Sequence, residues 1–361
     1  MKLLVLAQTP PPVHGQSLMV QTAVEGLPAH GIELEHVALP LSRSAADIGR
    51  WHFGKLLRTF DACFHAIAAR FVSGCDVLYY VPAPAKRGAL YRDWAVMLLC
   101  RPFFKKLVLH WHAAGLGEWL QTRATAPERW LTKLALGRAD LALVLAGSLR
   151  SDAEILAAKK IAIVPNGVAD PGAPTKSLRG EAAAWRVLFL GLGSEEKGLF
   201  LVADAVLAAN AQTGGNHFQL VAAGSWASDA DARRFAALAG SQRDVLQHVG
   251  FVTGDAKDRL LRTSDCLVLP SRFPHEAQPL VLLEALAYDL PVIASRWRGI
   301  PETLPTDASI LVPPGDITAL TTALIKLRRS PPTAGVARRH FVAHYTKQRH
   351  VEQLARALQE L

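Results

Sequence analysis

Two glutamates with the potential to bind a ligand stand eight positions apart, Glu276 and Glu284. The short apolar run 266–269 precedes them and predicts a buried strand, and a helix is expected to begin near Pro279. Both carboxylates are therefore predicted at or just beyond the carboxyl end of a strand, where doubly wound α/β folds bind ligands. The first amides of a helix point toward an anion or a hydroxyl-rich ligand. Two carboxylates beside such amides suit a polyhydroxylated, phosphorylated molecule.

A glycine-rich turn opens the second half of the chain. Gly191 and Gly193 follow the apolar run 185–190, and Lys197 precedes a helical pattern that begins at residue 199. Glycines let the backbone approach phosphate oxygens, and a helix start with a lysine supplies positive potential. The spacing is neither a dinucleotide-binding fingerprint nor a Walker loop. Taken alone, it is equally compatible with a structural turn and a solvated lysine.

Short apolar runs alternate with longer helical patterns along the whole chain, which is typical of parallel sheets covered by helices. The predicted strands are 2–7, 33–39, 76–81, 107–111, 141–145, 161–164, 185–190, 218–223, 245–249, 266–269, 292–294 and 310–312. The predicted helices include 16–27, 51–72, 149–158, 199–210, 280–287, 317–327 and a tail over 334–361. We therefore expect an α/β fold with two Rossmann-like, doubly wound parallel-sheet domains that face a cleft.

The domain boundaries follow from length and from turn residues. A chain of 361 residues is too long for one ordinary core and fits two domains. Three prolines and three glycines interrupt the pattern over 165–180. We predict an N-terminal domain over 1–165, a linker over 166–184 and a C-terminal domain over 185–345. The C-terminal helix over 346–361 is expected to pack back toward the N-terminal domain.

Charge and cysteine usage narrow the class of protein. The net charge of +9 and the pI near 9.6 favour an anionic partner such as a nucleotide or a phospholipid. Nucleic acid is not expected, because the chain contains no recognised RNA or DNA module. The four cysteines form no Cys-x-x-Cys pair, which argues against a disulfide framework and a zinc site and indicates a reduced, cytoplasmic protein. The N-terminal apolar run is too short for a signal peptide, and no run reaches the roughly 18 apolar residues of a membrane span.

Further motifs at strand ends accompany the glycine turn. They are Lys197-Gly198, Asp265, Pro270-Ser271, Pro291-Val292, Gly299 with Glu302, and Pro314-Gly315-Asp316. With Gly191 and the two glutamates, this ordered set resembles the donor-binding domain of the family 4 retaining glycosyltransferases, which have the GT-B fold. The first half resembles that family less closely, through residues 11–15, His112 and residues 165–168.

The resemblance implies a role for each site residue. Glu276 and the amides after it would hold the hydroxyls of the donor sugar, and Glu284 would bind the nucleotide ribose. Lys197 would neutralise the departing diphosphate, Gly15 would let a loop close over it, and His112 would lie beside the reacting carbon. The implied catalytic residues are His112, Lys197 and Glu276. The implied donor-binding residues are Gly15, Gly191, Gly193, Lys197, Arg272, Glu276, Ala277, Gln278, Pro279, Leu280, Glu284 and Gly299.

Two positions depart from the family pattern. The family usually carries an arginine directly after the first glycine of the turn, where this chain has Leu192. Because paired cations stabilise a leaving diphosphate, we hypothesise that Arg272, Arg296 or Arg298 supplies the second charge. In the first half, His14 replaces a glycine that is common in the family's loop.

The resemblance implies a retaining, metal-independent hexosyltransferase of bacterial cell-surface polysaccharide synthesis. Its donor would be a UDP- or GDP-sugar, and its acceptor a saccharide or lipid-linked glycan. No metal or other cofactor is expected, because we find no His and Asp ligands clustered at metal spacing. Two alternatives stay open: a GT-B-fold nucleotide-sugar epimerase or phosphorylase, and a non-catalytic nucleotide-sugar-binding protein.

A basic and aromatic segment over 86–106 has two interpretations. Its basic residues are Lys86, Arg87, Arg92, Arg101, Lys105 and Lys106, and its aromatic residues are Tyr91, Trp94, Phe103 and Phe104. Such a mixture suits an anionic membrane surface, which would make the protein peripheral on the inner face of the cell membrane. It is equally compatible with an ordinary helix whose outer positions are basic.

Overall fold

The computed structural model describes residues 1–39, 53–173 and 184–361. The chain divides into two compact units: unit 1 comprises Met1–Gly167 with Lys347–Leu361, and unit 2 comprises Val168–Thr346. Residues 174–183 of the predicted linker and residues 51–52 of the predicted helix 51–72 lie outside the described residues.

Unit 1 contains a parallel sheet of six strands. They are β1 (Lys2–Ala7), β2 (Glu33–Ala38), β3 (Val77–Tyr80), β4 (Lys106–Trp111), β5 (Leu141–Val144) and β6 (Ile161–Ile163). Their spatial order is β2-β1-β3-β4-β5-β6. The inner strands are nearly continuous apolar runs because helices cover both faces of the sheet.

The helices of unit 1 connect these strands. They are α1 (Gly15–Gly26), α2 (Phe53–Val72), α3 (Arg87–Cys100), α4 (Leu116–Thr122), α5 (Ala126–Leu136) and α6 (Ser151–Ile155). The predicted helix 149–158 was too long, since a 3-10 turn over Gly147–Leu149 precedes α6 and Ala157 has a left-handed φ of 53° just after it.

Unit 2 repeats the architecture with its own six parallel strands. They are β7 (Trp185–Leu190), β8 (Phe218–Ala223), β9 (Leu246–His248), β10 (Cys266–Leu269), β11 (Val292–Ser295) and β12 (Ser309–Val312). Their spatial order is β12-β11-β10-β7-β8-β9. The chain adds strands outward on one side from β7 and on the other side from β10, so the strand order reverses between these two strands. All the predicted strands of both units are present to within one residue at each end.

The helices of unit 2 flank its sheet. They are α7 (Leu199–Thr213), α8 (Asp229–Ala239), α9 (Gly254–Thr263), α10 (Leu280–Ala287), α11 (Ile300–Thr303), α12 (Ile317–Arg329) and α13 (Val336–His344). Asp316, which the sequence grouped with the site motifs, caps α12 by accepting a bond of 2.9 Å from the Ala319 amide.

The tail predicted to be helical over 334–361, with a C-terminal helix over 346–361, forms two helices. Helix α13 ends at His344, and the amide of Val168 donates to the carbonyl of Tyr345 in unit 2. The last helix, α14 (Lys347–Gln359), belongs to unit 1, where Leu354 and Leu358 enter the core beside α1. Within the described ranges, no helix is both long and apolar enough to cross a bilayer.

Candidate functional site

The loops after β7 and β10 meet at the point where the strand order of the unit 2 sheet reverses. In open α/β sheets, this switch point is where ligands bind beyond the carboxyl ends of the strands. Gly198, in the first loop, has a left-handed φ of 85°, and a Cβ on it would lie 2.7 Å from the carbonyl oxygen of Pro270 in the second. Glycine is therefore required for this close approach, which holds the two loops together.

Lys197 and Glu276 form an ion pair across these two loops. The Lys197 Nζ lies 2.9 Å from Glu276 Oε1 and 2.7 Å from Oε2. The glutamate side chain is buried and the lysine largely so, with 7% and 19% of their surfaces exposed. A charge buried to this degree is destabilising unless it is paired, so each residue holds the other's charge in place.

Neighbouring groups fix the orientation of this pair. The Ser271 hydroxyl donates to Glu276 Oε2 at 2.7 Å, and the Lys197 ammonium lies 4.7 Å from the centroid of the Phe273 ring. The Lys197 amide donates to Ser194 Oγ at 3.1 Å. The carboxylate and the ammonium are thereby preorganised at the switch point.

Glu284 is also paired with a lysine. It lies on α10, and its Oε1 accepts a bond of 2.6 Å from the Nζ of Lys257 on α9. Sequence reasoning identified Glu284 and missed Lys257, because a lysine inside an otherwise charged helix carries no signal of its own. The two predicted acids thus each have a specific lysine partner.

The loop after β11 is bonded to the loop that carries Glu276. The Trp297 indole donates to the Phe273 carbonyl at 2.8 Å, and the Ser295 hydroxyl donates to the Ser271 carbonyl. These bonds bring the segment of Arg296 and Arg298 beside the candidate site. The ring of Trp297 lies 5.1 Å from the guanidinium of Arg298.

The remaining residues of the predicted sugar-binding segment lie at the start of α10. Pro279 is the N-cap and Leu280 the first helical residue, while Ala277 is buried. The Gln278 amide donates to Thr303 Oγ1 at 3.3 Å, and this hydroxyl donates to the Gly299 carbonyl at 2.9 Å. Gln278 and Gly299 are therefore linked through Thr303.

The glycine turn after β7 has packing constraints besides any ligand. A Cβ on Gly193 would lie 2.6 Å from the Trp226 ring, which stacks on His248 with centroids 4.1 Å apart. Gly191 follows β7 with a φ of 152°. Leu192, between the two glycines, is 41% exposed. The turn thus presents an apolar side chain where the family pattern has a cation.

The three arginines proposed to replace that cation differ in their surroundings. Arg272 Nη2 donates to Glu195 Oε1 at 2.8 Å, and Glu195 also pairs with Arg234 at 2.6 Å. Arg296 is exposed. Arg298 is half-buried, and its φ of 51° places it in the left-handed region that favours glycine.

In unit 1, His112 follows β4 as predicted and belongs to a histidine cluster. The ring centroids of His110 and His112 are 4.1 Å apart, and His110 Nδ1 lies 2.5 Å from the Tyr79 hydroxyl. Burial, followed by the neighbouring His350 and His14, lowers the pKa of His112 to about 3. The imidazole is therefore neutral at physiological pH, the form that can accept a proton.

The loop before α1 has a local structural role. His14 is the N-cap of α1: its Nδ1 accepts a bond of 3.2 Å from the Ser17 amide, and Ser17 Oγ accepts from the His14 amide. Burial lowers the pKa of His14, which favours the neutral acceptor form. Gly15 is the exposed first residue of α1. A histidine thus caps this helix, a role usually taken by serine, threonine, asparagine or aspartate.

One Asp-x-Asp triplet escaped the sequence reasoning about metals. Asp229 and Asp231 lie in the first turn of α8, where the Ser228 hydroxyl donates to Asp231 Oδ2 at 2.5 Å. Their place in a capped first turn accounts for both acids through the helix dipole. Among the described ranges, no three His, Cys, Asp or Glu side chains are grouped as metal ligands.

The fold is that of the GT-B glycosyltransferases. Sucrose-phosphate synthase from Thermosynechococcus elongatus aligns with a TM-score of 0.77 at 21% identity, over 100% of this chain and 99% of that one. HepE of Anabaena in complex with UDP aligns with a TM-score of 0.70 at 16% identity, over 100% of both chains. The expected α/β fold class, with two doubly wound parallel sheets, is therefore confirmed.

Unit 2 carries the family-specific part of the sequence. Residues 184–330 match the family described as glycosyl transferases group 1. Over 186 residues, the chain is 30% identical to the amylovoran biosynthesis glycosyltransferase AmsK of Erwinia amylovora, covering 49% of this chain and 45% of that protein. The chain spans less than half the length of this and the other sequence relatives that it matches. The residues that match glycosyl transferases group 1 include both lysine–glutamate pairs.

Proposed function

We propose that the protein is a retaining glycosyltransferase of the family 4 type, which moves a hexosyl group from a nucleotide diphosphate sugar to a saccharide or lipid-linked acceptor. The main support is the buried pair of Lys197 and Glu276 at the switch point, within the residues that match glycosyl transferases group 1. The proposed setting is bacterial cell-surface polysaccharide synthesis, in agreement with the name of the amylovoran relative.

The ion pair suggests how the donor would be recognised. A diphosphate offers the Lys197 ammonium a more highly charged partner than a single carboxylate does. Once Lys197 turns to the diphosphate, Glu276 keeps its bond from Ser271 and has an oxygen available for sugar hydroxyls. Lys197 would then stabilise the negative charge that grows on the diphosphate as the glycosidic bond breaks.

Metal independence and the absence of any cofactor are part of this proposal. The first amides of α10, which begins at Leu280, have no acceptor within the helix and would add positive potential to that of Lys197. A lysine and a helix start can together stabilise a leaving diphosphate without a cation. Transfer in the presence of excess EDTA is the expected result.

Recognition of the nucleotide ribose is assigned to Glu284, and binding experiments with different nucleotides are needed to identify the base. Glu284 would accept hydrogen bonds from the ribose hydroxyls, with Lys257 holding the carboxylate in place. UDP- and GDP-sugars are both candidates, and the UDP complex of HepE makes UDP the first nucleotide to test. His112 is proposed to act beside the reacting carbon.

Binding and turnover test the proposal in sequence. Calorimetry with UDP, GDP and ADP should give saturable binding of at least one nucleotide, weakened about tenfold or more by Lys197→Ala. The matched control is Lys326→Ala, an exposed lysine on α12. NMR of the product should show that the anomeric configuration of the transferred hexose is retained.

Other outcomes identify the alternatives. Consumption of the donor without any acceptor would indicate an epimerase or a phosphorylase. Nucleotide-sugar binding without turnover, with lipid-linked and free saccharide acceptors alike, would indicate a binding protein. Failure of all three nucleoside diphosphates to bind would overturn the donor site itself.

A further inference from the structure

Helix α2 is apolar on two opposite faces. Its inward face carries small buried side chains, Ala62, Cys63 and Ala66. Its outward face, the α2 stripe, consists of Leu57, Phe60, Phe64 and Phe71. Intervals of three, four and seven residues align these four on one side of the helix over about 21 Å. Phe64 and Phe71 are 70% and 68% exposed.

The exposed apolar surface of the α2 stripe calls for a binding partner that would cover it. A surface helix of a globular domain ordinarily turns polar residues outward, whereas the α2 stripe presents three phenylalanines. Scattered exposed apolar residues are normal, but contiguous apolar surface marks an interaction site. The stripe therefore indicates a binding surface on unit 1.

The surface continues beyond α2. Phe71 makes an edge-to-face contact with Phe103, with centroids 6.1 Å apart, and Arg70 Nε donates to the Phe103 carbonyl at 2.9 Å. Arg101, two residues earlier, donates to the Ala135 carbonyl at 2.9 Å, at the end of α5. On α5, Trp130 is 63% exposed. Apolar and basic side chains thus alternate from α2 to α5.

Charge on this layer is almost all of one sign. Residues 86–138 contain 10 Lys and Arg against 3 Asp and Glu. Two of the three acids are buried and paired, Asp93 with Arg92 and Glu128 with Arg87. Unit 1 as a whole has 22 Lys and Arg against 14 Asp and Glu, a net charge of +8, whereas unit 2 has 18 against 17, or +1.

A basic cavity lies beside Phe103. Its volume is about 360 Å³, and its charged lining residues are Arg101, Lys105, Lys106, Arg138, Lys159 and one acid, Asp140. Lys159 pairs with Asp140 at 2.7 Å and Lys105 with Asp76 at 3.0 Å, and the lining still carries more positive than negative charge, which suits a phosphate-bearing group.

We propose that the α2 stripe and the basic layer from α3 to α5 form a docking face for an anionic lipid bilayer. The phenylalanines and Trp130 would enter the boundary between headgroups and acyl chains, and the arginines and lysines would contact lipid phosphates. This docking face rests on unit 1 alone and adds a location to the proposed transfer reaction.

Charge decides between a bilayer and a second copy of the chain. In a two-fold dimer through this face, each basic layer would oppose an identical one, and like charges would repel. An anionic membrane complements both the apolar stripe and the positive potential. The docking face therefore fits the bilayer better than it fits itself.

Vesicle co-sedimentation of the full chain tests the docking face. One set of vesicles contains phosphatidylcholine and phosphatidylglycerol in roughly equal amounts, and the other contains phosphatidylcholine alone. The protein should bind the first set about tenfold more strongly than the second, and this binding should weaken at high salt. Phe64→Ser with Phe71→Ser should lower this binding about tenfold or more, as should Arg129→Glu with Lys133→Glu. Both double variants should keep the melting temperature within a few degrees, because all four side chains are exposed.

Matched controls lie on unit 2. Lys326→Glu with Arg329→Glu reverses two exposed charges on α12, and Val342→Ser removes an exposed apolar side chain. Both should leave vesicle binding unchanged.

Two outcomes would overturn the proposal: the wild type does not bind anionic vesicles, or the control variants lose as much binding as the unit 1 variants. A dimer in light scattering that Phe64→Ser with Phe71→Ser dissolves, without vesicle binding, would assign the face to a second copy. All these variants should bind nucleotide as the wild type does. If the wild type itself binds no nucleotide, that result contradicts the proposed transfer reaction and not the docking face.

Discussion

The Lys197 ammonium lies within 3 Å of both carboxylate oxygens of Glu276, at 2.9 and 2.7 Å. The lysine comes from the loop after β7 and the glutamate from the loop after β10, the two strands that flank the switch point of unit 2. One contact thus joins the residue predicted to bind the diphosphate with the residue predicted to bind the sugar.

A double-mutant cycle should reveal how strongly this pair is coupled. Lys197→Met leaves the buried Glu276 carboxylate without its cation and should destabilise the protein by about 3 kcal/mol. Adding Glu276→Gln removes the uncompensated charge, so the double variant should recover a large part of that loss. Chemical denaturation followed by circular dichroism measures both. Additive losses from the two single changes would mean that the pair is not coupled.

The partner of Glu284 gives a separate prediction about the nucleotide. Lys257→Met should weaken binding of a nucleoside diphosphate about tenfold, because Glu284 would lose the bond of 2.6 Å that orients it. The ribose is the group at stake, so a 2′,3′-dideoxy nucleotide should bind the wild type and the variant almost equally. Calorimetry with both nucleotides makes the comparison. An equal loss for the two nucleotides would place the effect of Lys257 outside ribose recognition.

The positions of the strands could be predicted from the sequence, but the partners of charged residues could not. Strands buried on both faces, such as β3 and β10, are continuous apolar runs, so their bounds are visible in the sequence. Lys257 and Glu284 are 27 positions apart on different helices, and their contact depends on how α9 and α10 pack. Nothing in the local sequence encodes that distance.

The site shows the same division between local and tertiary information. Gly198 could be singled out because its conformation is a local property of a turn. The outward apolar stripe of α2 was not recognised, because an apolar residue in the sequence does not reveal whether its side faces the core or the solvent. The helical tail predicted over 334–361 is divided into α13 and α14 beside the pairing of Val168 with Thr346, a contact that the local sequence does not reveal.

Arginine substitutions should identify the cation that replaces the one missing at Leu192. Arg298 is the first of the three candidates to test, because it is half-buried and lies against Trp297, whose indole is bonded to the loop that carries Glu276. Arg298→Gly should weaken nucleoside diphosphate binding about tenfold, yet raise stability by about 1 kcal/mol, because glycine tolerates a φ of 51°. Calorimetry and thermal melting separate the two effects.

Controls for this prediction come from the same loops. Arg296→Ala should leave both affinity and stability unchanged, and Arg272→Ala should change affinity less than Arg298→Gly does. If all three variants bind nucleoside diphosphates like the wild type while Lys197→Ala does not, no arginine of this group compensates for Leu192.

The histidine cluster of unit 1 should make that unit sensitive to mild acid. Burial lowers the pKa of His350 to about 4, and burial with neighbouring histidines lowers that of His112 to about 3. In an unfolded chain, both would titrate near 6.5. Between pH 6.5 and about 4, the unfolded state therefore binds more protons than the folded state does. Stability is fully present above pH 6.5 and falls as the pH drops through this window.

His350→Gln should flatten this pH dependence. The His350 Nδ1 lies 2.6 Å from the Pro165 carbonyl, and the glutamine amide can donate to the same oxygen without adding a titrating group. Hydrogen exchange of α14 at pH 5 and pH 7 should differ clearly in the wild type and less in the variant, because His350 anchors this helix within unit 1. His65→Gln, at a side chain that is 63% exposed, serves as the control and should keep the wild-type difference. If the variant and the wild type respond equally to acid, protonation of His350 does not set the stability of α14.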